Sequence, residues 1–134
     1  MSDWNAQVIA EFRANGGKVE QFGDAPLVIL NTVGAKSGQI REIPLVMLLD
    51  GDRKFVFASA AGSPKHPDWY HNLIANPEIE VEIGTAKTSA RLEPLPEPDR
   101  GDRLGQMADV MPQFAEYVGN AAPRLIPAFE IVDA

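Results

Sequence analysis

The stretch LVILNTVGAKSGQIREIPLVMLLDGDRKFVFAS, residues 27–59, decides the fold. Its first seven residues, Leu27 to Val33, are apolar and β-branched and follow Pro26, the pattern of a buried strand. Gly34-Ala35-Lys36-Ser37-Gly38 is a turn with glycine at both ends. An extended pattern resumes from Ile40 to Leu49 with Pro44 inside it. Proline has no N–H for a sheet ladder, so this strand belongs at an edge or carries a bulge. Asp50-Gly51-Asp52 is a hairpin signal, and Lys54 to Ser59 alternates as a third strand. Connections this short favour antiparallel pairing, because parallel neighbours need a crossover of about a dozen residues or more.

The same reading extends in both directions. Upstream, Trp4, Val8 and Phe12 recur every four residues, predicting a helix over about residues 3–15 that Asn15-Gly16-Gly17 ends. Downstream, Ala60 to Pro67 is a loop, and Pro67 opens a short helix, DWYHNLIA, that stops at Asn76-Pro77. Glu78 to Ile83 alternates strictly, so one face is buried and one is wet. Gly84-Thr85 turns into another strand through Leu92, and Glu93 to Pro98 is proline-rich punctuation. Arg100 to Tyr117 is helical with a break near Pro112, and Ile126 to Val132 is a closing strand. About six strands and three helices result, a mainly β (α+β) chain forming a small closed or partly closed antiparallel barrel. No repeat or linker divides it, so residues 1–134 are expected to be one domain.

Composition narrows the chemistry. The chain has no cysteine, which removes disulfides, thiol catalysis and cysteine-held metals and suits a reducing cytoplasm. No apolar run is long enough to span a membrane, and the start does not read as a secretory signal. A net charge of −7 argues against nucleic acid as a partner. The charge is uneven: residues 31–72 carry a net +1 and the remainder −8. That middle suits a small anionic ligand, although a solvated face with clustered cations gives the same pattern. His66 and His71 are the only histidines and lack a metal-binding spacing, so no metal is expected. Ser63, His66 and Asp68 lie close together without a nucleophile elbow, and no G-x-G-x-x-G or P-loop spacing occurs.

Two segments remain. Glycines flanking Lys36 and Ser37 let backbone N–H groups converge on an anion, and Arg41 lies within reach of the same group. An ordinary polar hairpin turn would read alike. In Pro64-Lys65-His66-Pro67-Asp68-Trp69-Tyr70-His71-Asn72, adjacent Trp69 and Tyr70 cannot face the same way on a helix. One packs inward and the other meets ligand or solvent.

The motifs GAKSGQIREIPL, FASAAG and PKHPDWYHNLIANP together resemble the deazaflavin-dependent nitroreductase family, a group of actinobacterial coenzyme F420-dependent reductases. The resemblance covers nearly the whole chain and implies a split β-barrel akin to flavin-binding pyridoxamine-phosphate oxidases. It implies that Ala35, Lys36, Ser37 and Arg41 hold the coenzyme's phosphate and glutamate tail. It further implies that Ile43, Pro44, Leu45 and Val46 lie along the deazaflavin ring. Ala58, Ser59 and Ala60 would contact the ring or its ribityl chain, and Asp68, Trp69 and Asn72 would close the phosphate side. Positions where relatives carry substrate-lining tyrosines fall on Met111, Phe114 and Tyr117, with Trp4 as a further apolar wall. Two of those three hydroxyls are missing, which turns the expectation away from nitro compounds and towards quinones, enones or coumarin-type lactones.

The implied activity is hydride transfer from reduced F420 to a small planar electron acceptor. Ser59 would steady developing negative charge, and Tyr117 would supply a proton. FMN on the same barrel is the alternative cofactor, and a non-catalytic F420 carrier the alternative role. Monomer and homodimer both stay open. The expected location is the cytoplasm, with contact at a membrane surface disfavoured by the acidic balance.

Overall fold

The computed structural model, which describes residues 3–134, divides the extended stretch after Gln39 into two strands. β1 (Leu27–Val33) pairs with β2 (Ile40–Val46), and Met47 alone separates β2 from β3 (Leu48–Asp50). β3 and β4 (Arg53–Phe57) form the hairpin that Asp50-Gly51-Asp52 predicts. With β5 (Glu78–Ile83), β6 (Ala86–Pro94) and β7 (Ala128–Asp133) they make one antiparallel sheet of order β2-β1-β5-β6-β7-β4-β3.

That order places β2 and β3 on opposite edges of the sheet. In a flat sheet, six spacings of about 4.8 Å would hold those edges about 29 Å apart. Two Cα–Cα steps reach only about 7.6 Å. The sheet must therefore curl until its edges meet at Met47, whose N–H donates to the Pro26 carbonyl at 2.8 Å. The result is a split barrel: the chain ties the two edges together at one end. Pro44 sits in β2, opposite Ile29, on the edge strand where a missing N–H costs least. The sequence predicts one strand over Ile40 to Leu49 because the apolar run has no turn residue. The corner is imposed by barrel closure, so it leaves no local mark.

The interior is filled by alternate residues of the strands, among them Val28, Leu30, Val56, Val81 and Phe129. α2 (Asp68–Ala75) adds Trp69 and Leu73 to that core. On the outer face, α1 (Asp3–Ala14) lays Val8, Ile9 and Phe12 over Leu27 and Ile29. α3 (Asp99–Val110) and α4 (Gln113–Ala121) lay Leu104, Met107 and Phe114 over Phe55 and Phe57. β1 thus feeds a core on each side, which explains why it is apolar throughout. The expected third helix is two helices, divided at Met111-Pro112.

One polar clamp fastens α1. Arg13 Nε and Nη2 donate to the two Glu82 carboxylate oxygens at 3.0 and 2.7 Å, and Nη2 also reaches Glu42 at 2.6 Å. Asn31 Nδ2 donates to Glu82 at 3.1 Å. The hydrogen bond from Arg13, aided by Asn31, holds the Glu82 carboxyl below its usual pKa. A depressed carboxylate stabilises the fold above its unfolded pKa of about 4.3, and that contribution is lost as the pH falls further. Arg13→Ala leaves Glu82, 9% exposed, without its cation. Loss of a partner from a fully buried pair costs about 3–5 kcal/mol, and the half-exposed Arg13 brings the expected loss to about 2 kcal/mol. Urea denaturation at neutral pH measures that loss. Glu82→Gln should flatten the decline in stability below about pH 4.3.

Candidate functional site

A cavity of about 280 Å³ opens beside the closure of the barrel. Pro44, Leu45 and Val46 form one wall, and Met111, Phe114 and Tyr117 form the facing one. Phe114 meets Phe57 and Tyr117 edge to face, with centroids 6.1 and 5.1 Å away, so the second wall is fixed by aromatic packing. Trp4 lies on the rim, 49% exposed, and meets Phe22 edge to face at 6.1 Å. The lining residues with polar side-chain groups are Ser59, Tyr117, Gln113 and, through its indole N–H, Trp4. A flat, apolar molecule carrying carbonyl oxygens fits such a lining.

Ser59 begins a strained loop. Ala60 and Ala61 both have left-handed backbones, with φ of 49° and 52°, followed by Gly62 at 85°. Alanine in that region costs on the order of 1 kcal/mol per residue, so the surroundings must impose it. A Cβ on Gly62 would lie 3.1 Å from Tyr117 Cα, so this glycine lets the loop press directly on α4. From the other side Arg124 binds the carbonyls of Ala58, Ser59 and Ser63 at 2.7–3.0 Å. Arg124 escapes sequence reasoning. Its one signal is its position as a lone cation in the otherwise uncharged run AAPRLIPAF. Gln113, Phe22 and Leu27 also line the cavity from outside the quoted motifs, and Phe57 and Ala61 line it from within FASAAG without having been assigned a role.

The opposite end of β2 is cationic. In the turn that joins β1 to β2, Lys36 and Ser37 are exposed, as is Arg41 at the start of β2. Lys36, Arg41 and Lys65 form no ion pair among the described residues, whereas Glu42 turns away to Arg13. The Ala35 N–H donates to Asn72 Oδ1 at 3.0 Å, and Asn76 Nδ2 donates to the Val33 carbonyl at 3.3 Å. These two asparagines dock α2 on the turn and on the end of β1, and the first of these bonds brings Ala35 and Asn72 together. Asp68 is exposed at the start of α2.

Three expected contacts are placed differently. Trp69 is 8% exposed and packs in the barrel against Phe129, so it supports α2 from within rather than facing a ligand. Tyr70 is the more exposed aromatic of the pair, half-buried, stacked on His66 with centroids 4.2 Å apart and also meeting Phe129 at 5.9 Å. Ala58 is fully buried with its N–H bound to Pro127 and its carbonyl to Arg124. Ile43 packs on the barrel core without lining the cavity; Leu45 packs on the same core and also lines the cavity together with Pro44 and Val46. Ala60 lies next to the cavity-lining Ser59 and Ala61 and acts through its backbone conformation.

A second cleft, about 330 Å³, lies on the sheet beside Asn31, Glu78, Glu80 and Ser89. Its two carboxylates make it a poor seat for an anion. Among the described residues no group of three or more His, Asp or Glu side chains could hold a metal ion.

His66 Nδ1 lies 3.1 Å from Arg124 Nη1. Arginine only donates, so Nδ1 accepts and the neutral ring carries its proton on Nε2. Burial first, then the charges of Arg124 and His71, push the His66 pKa below its usual value. Arg124, His71 and Tyr70 are the groups that face it. A lowered histidine pKa contributes stability that is full above about pH 6.5 and falls away at lower pH. His66→Asn keeps an acceptor but cannot titrate. It should therefore flatten the drop in denaturation midpoint between about pH 7 and 5. An unchanged drop would assign the acid sensitivity elsewhere.

The family model for F420H(2)-dependent quinone reductase matches residues 4–130. An F420H(2)-dependent quinone reductase of Mycobacterium tuberculosis strain H37Rv is 36% identical over 88 residues, covering 64% of this chain and 59% of that protein. The matched stretch thus spans less than two thirds of that relative. A solved F420-H2 dependent reductase, FDR-A, is 34% identical with a TM-score of 0.70, covering 79% of this chain and 93% of that one. A second solved structure, described as a domain-swapped dimer, is 32% identical with a TM-score of 0.72 and covers 96% and 97%.

Proposed function

This chain belongs to the F420H(2)-dependent quinone reductase family, and on that premise we propose that it passes a hydride from reduced coenzyme F420 to a small quinone. The observation that carries this reading is the course of β2. It runs from Arg41, beside the turn that carries Lys36, to the apolar cavity wall at Pro44, Leu45 and Val46, and neither cation forms an ion pair among the described residues. At about 3.4 Å per residue, Arg41 and Val46 are about 17 Å apart along it. A ligand with an anionic tail and a flat apolar head matches that spacing of charge and cavity. The residues present therefore fit the deazaflavin coenzyme, whose reduced ring supplies two electrons as hydride.

The protein's work in this scheme is positioning. Lys36 and Arg41 bind the anionic tail, with the turn held rigid by the Ala35–Asn72 bond. Pro44 to Val46 present a non-polar surface on which a ring can lie while Phe114 and Met111 exclude water from the facing side. Ser59 and Tyr117 both line the cavity, and in this scheme their hydroxyls would hydrogen-bond the oxygen on which negative charge develops, with Tyr117 returning a proton there. Met111 and Phe114 offer no hydroxyl to a nitro group, so quinones lead and enones or coumarin-type lactones follow. The cytoplasm is the location this proposal assumes, in keeping with a chain that has no cysteine. No helix among the described residues is long and apolar enough to cross a membrane.

The test is steady-state oxidation of F420H2 by a panel of quinones, with reduced FMN run in parallel. Turnover with F420H2 and none with FMN is the expected result; no turnover with any quinone or enone would sink the reading. Tyr117→Phe should lower kcat about tenfold, equivalent to one hydrogen bond of about 1.4 kcal/mol made in the transition state. Replacing Lys36 and Arg41 together by alanine should raise the KM for F420H2 and reduce its salt dependence, with kcat little changed.

A further inference from the structure

Arg124 lies in the segment that joins α4 to β7, outside the lining of the cavity, yet it hydrogen-bonds three carbonyls of the strained loop. Its Nε donates to the Ser63 carbonyl at 3.0 Å. Its Nη1 donates to the Ala58 carbonyl at 3.0 Å and to His66 Nδ1 at 3.1 Å. Its Nη2 donates to the carbonyls of Ser59 and Ser63 at 2.9 and 2.7 Å. A guanidinium has five N–H bonds, so all five donors are used. Every acceptor is neutral, and Arg124 forms no ion pair among the described residues. The other half-buried or clamped arginines, Arg13, Arg53, Arg100 and Arg103, each meet a carboxylate.

Such an arrangement is costly for an ordinary structural arginine. A partly desolvated cation is normally paired, and here it is spent on a loop whose two left-handed alanines cost energy as well. Both costs fall on the segment that presents Ser59 and Ala61 to the cavity. The fork geometry explains the choice of residue. A lysine ammonium has three donors on a flexible stem and cannot reach four carbonyl and imidazole groups at once.

We propose that Arg124 is the positioning residue of the cofactor loop. Its planar fork holds Ala58 to Ser63 in the shape that presents Ser59 to the cavity, and fixes His66 with its proton on Nε2. Its uncompensated charge, set behind the loop, favours an anionic occupant over a neutral one. The binding half of this inference rests on the F420 reading above; the loop half does not.

The experiment compares wild type, Arg124→Lys and Arg124→Gln, with far-UV circular dichroism confirming that each is folded. Two readouts are taken. In the protein without coenzyme, NMR reports the amide shifts of Ser59 to Gly62 and the nitrogen shifts of His66, which distinguish its tautomers. In parallel, quenching of tryptophan fluorescence gives the Kd for F420. The expected result is displaced amide shifts and a mixed His66 tautomer in both variants. The Kd should rise about tenfold in Arg124→Gln, equivalent to about 1.4 kcal/mol, and less in Arg124→Lys, which keeps the charge. Unmoved amide shifts, or a Kd within twofold of wild type in Arg124→Gln, would overturn the assignment. If wild type itself binds no F420, the reading of function fails, while the amide and imidazole shifts still decide whether Arg124 shapes the loop.

Discussion

Closure of the barrel at Met47 is the constraint on which the rest of the structure depends. A single residue joins strands that lie on opposite edges of a seven-stranded sheet. The chain is too short there for any flat arrangement, so curvature is enforced covalently rather than by side-chain preference. Closure brings the end of β2 to the start of β3, and β4 then delivers Phe57 and the Ser59 loop to the same end of the barrel. The cavity is a by-product of this geometry, since the seam between edges cannot be filled by sheet ladders.

From this follows a division of labour along β2. As an edge strand it can carry Pro44 without loss of a central ladder bond, and it leaves one side free for a ligand. Its first residues adjoin the cationic turn, and its last form the cavity wall. α2 then serves as a brace, with Trp69 and Leu73 anchored in the barrel and Asn72 and Asn76 gripping the turn. The strained loop at Ala60 and Ala61 is braced on one side by α4 through Gly62 and on the other by Arg124. Strain of this kind persists only where neighbours over-determine it.

What the sequence makes legible follows from how local each signal is. β1, the β3–β4 hairpin, α2 and the alternation of β5 are governed by nearby residues, and each is readable. Glu78 and Glu80 of β5 are exposed while Ile79 and Val81 pack inward, as period-two patterning requires; Glu82, on the same face as the other glutamates, is buried by the Arg13 clamp from α1. The β2–β3 corner is illegible because closure of the whole sheet makes it and no turn chemistry does. At the site, the motif resemblance led to Tyr117, Met111 and Phe114, which the structure gathers at one cavity with Pro44 to Val46. Which of Trp69 and Tyr70 turns inward depends on the rotation of α2 against the barrel, a tertiary quantity. Arg124 is invisible for the same reason, being 58 to 66 residues from its partners.

The central claim is that one anionic, flat ligand spans β2 from the cationic turn to the cavity. Amide NMR shifts on titration with F420 test it most directly. The account predicts saturable, concerted shifts at Lys36, Ser37 and Arg41 and at Leu45, Val46 and Ser59, all with one Kd. Shifts confined to one end of β2, or centred on Glu78, Glu80 and Ser89 in the acidic cleft, would contradict it.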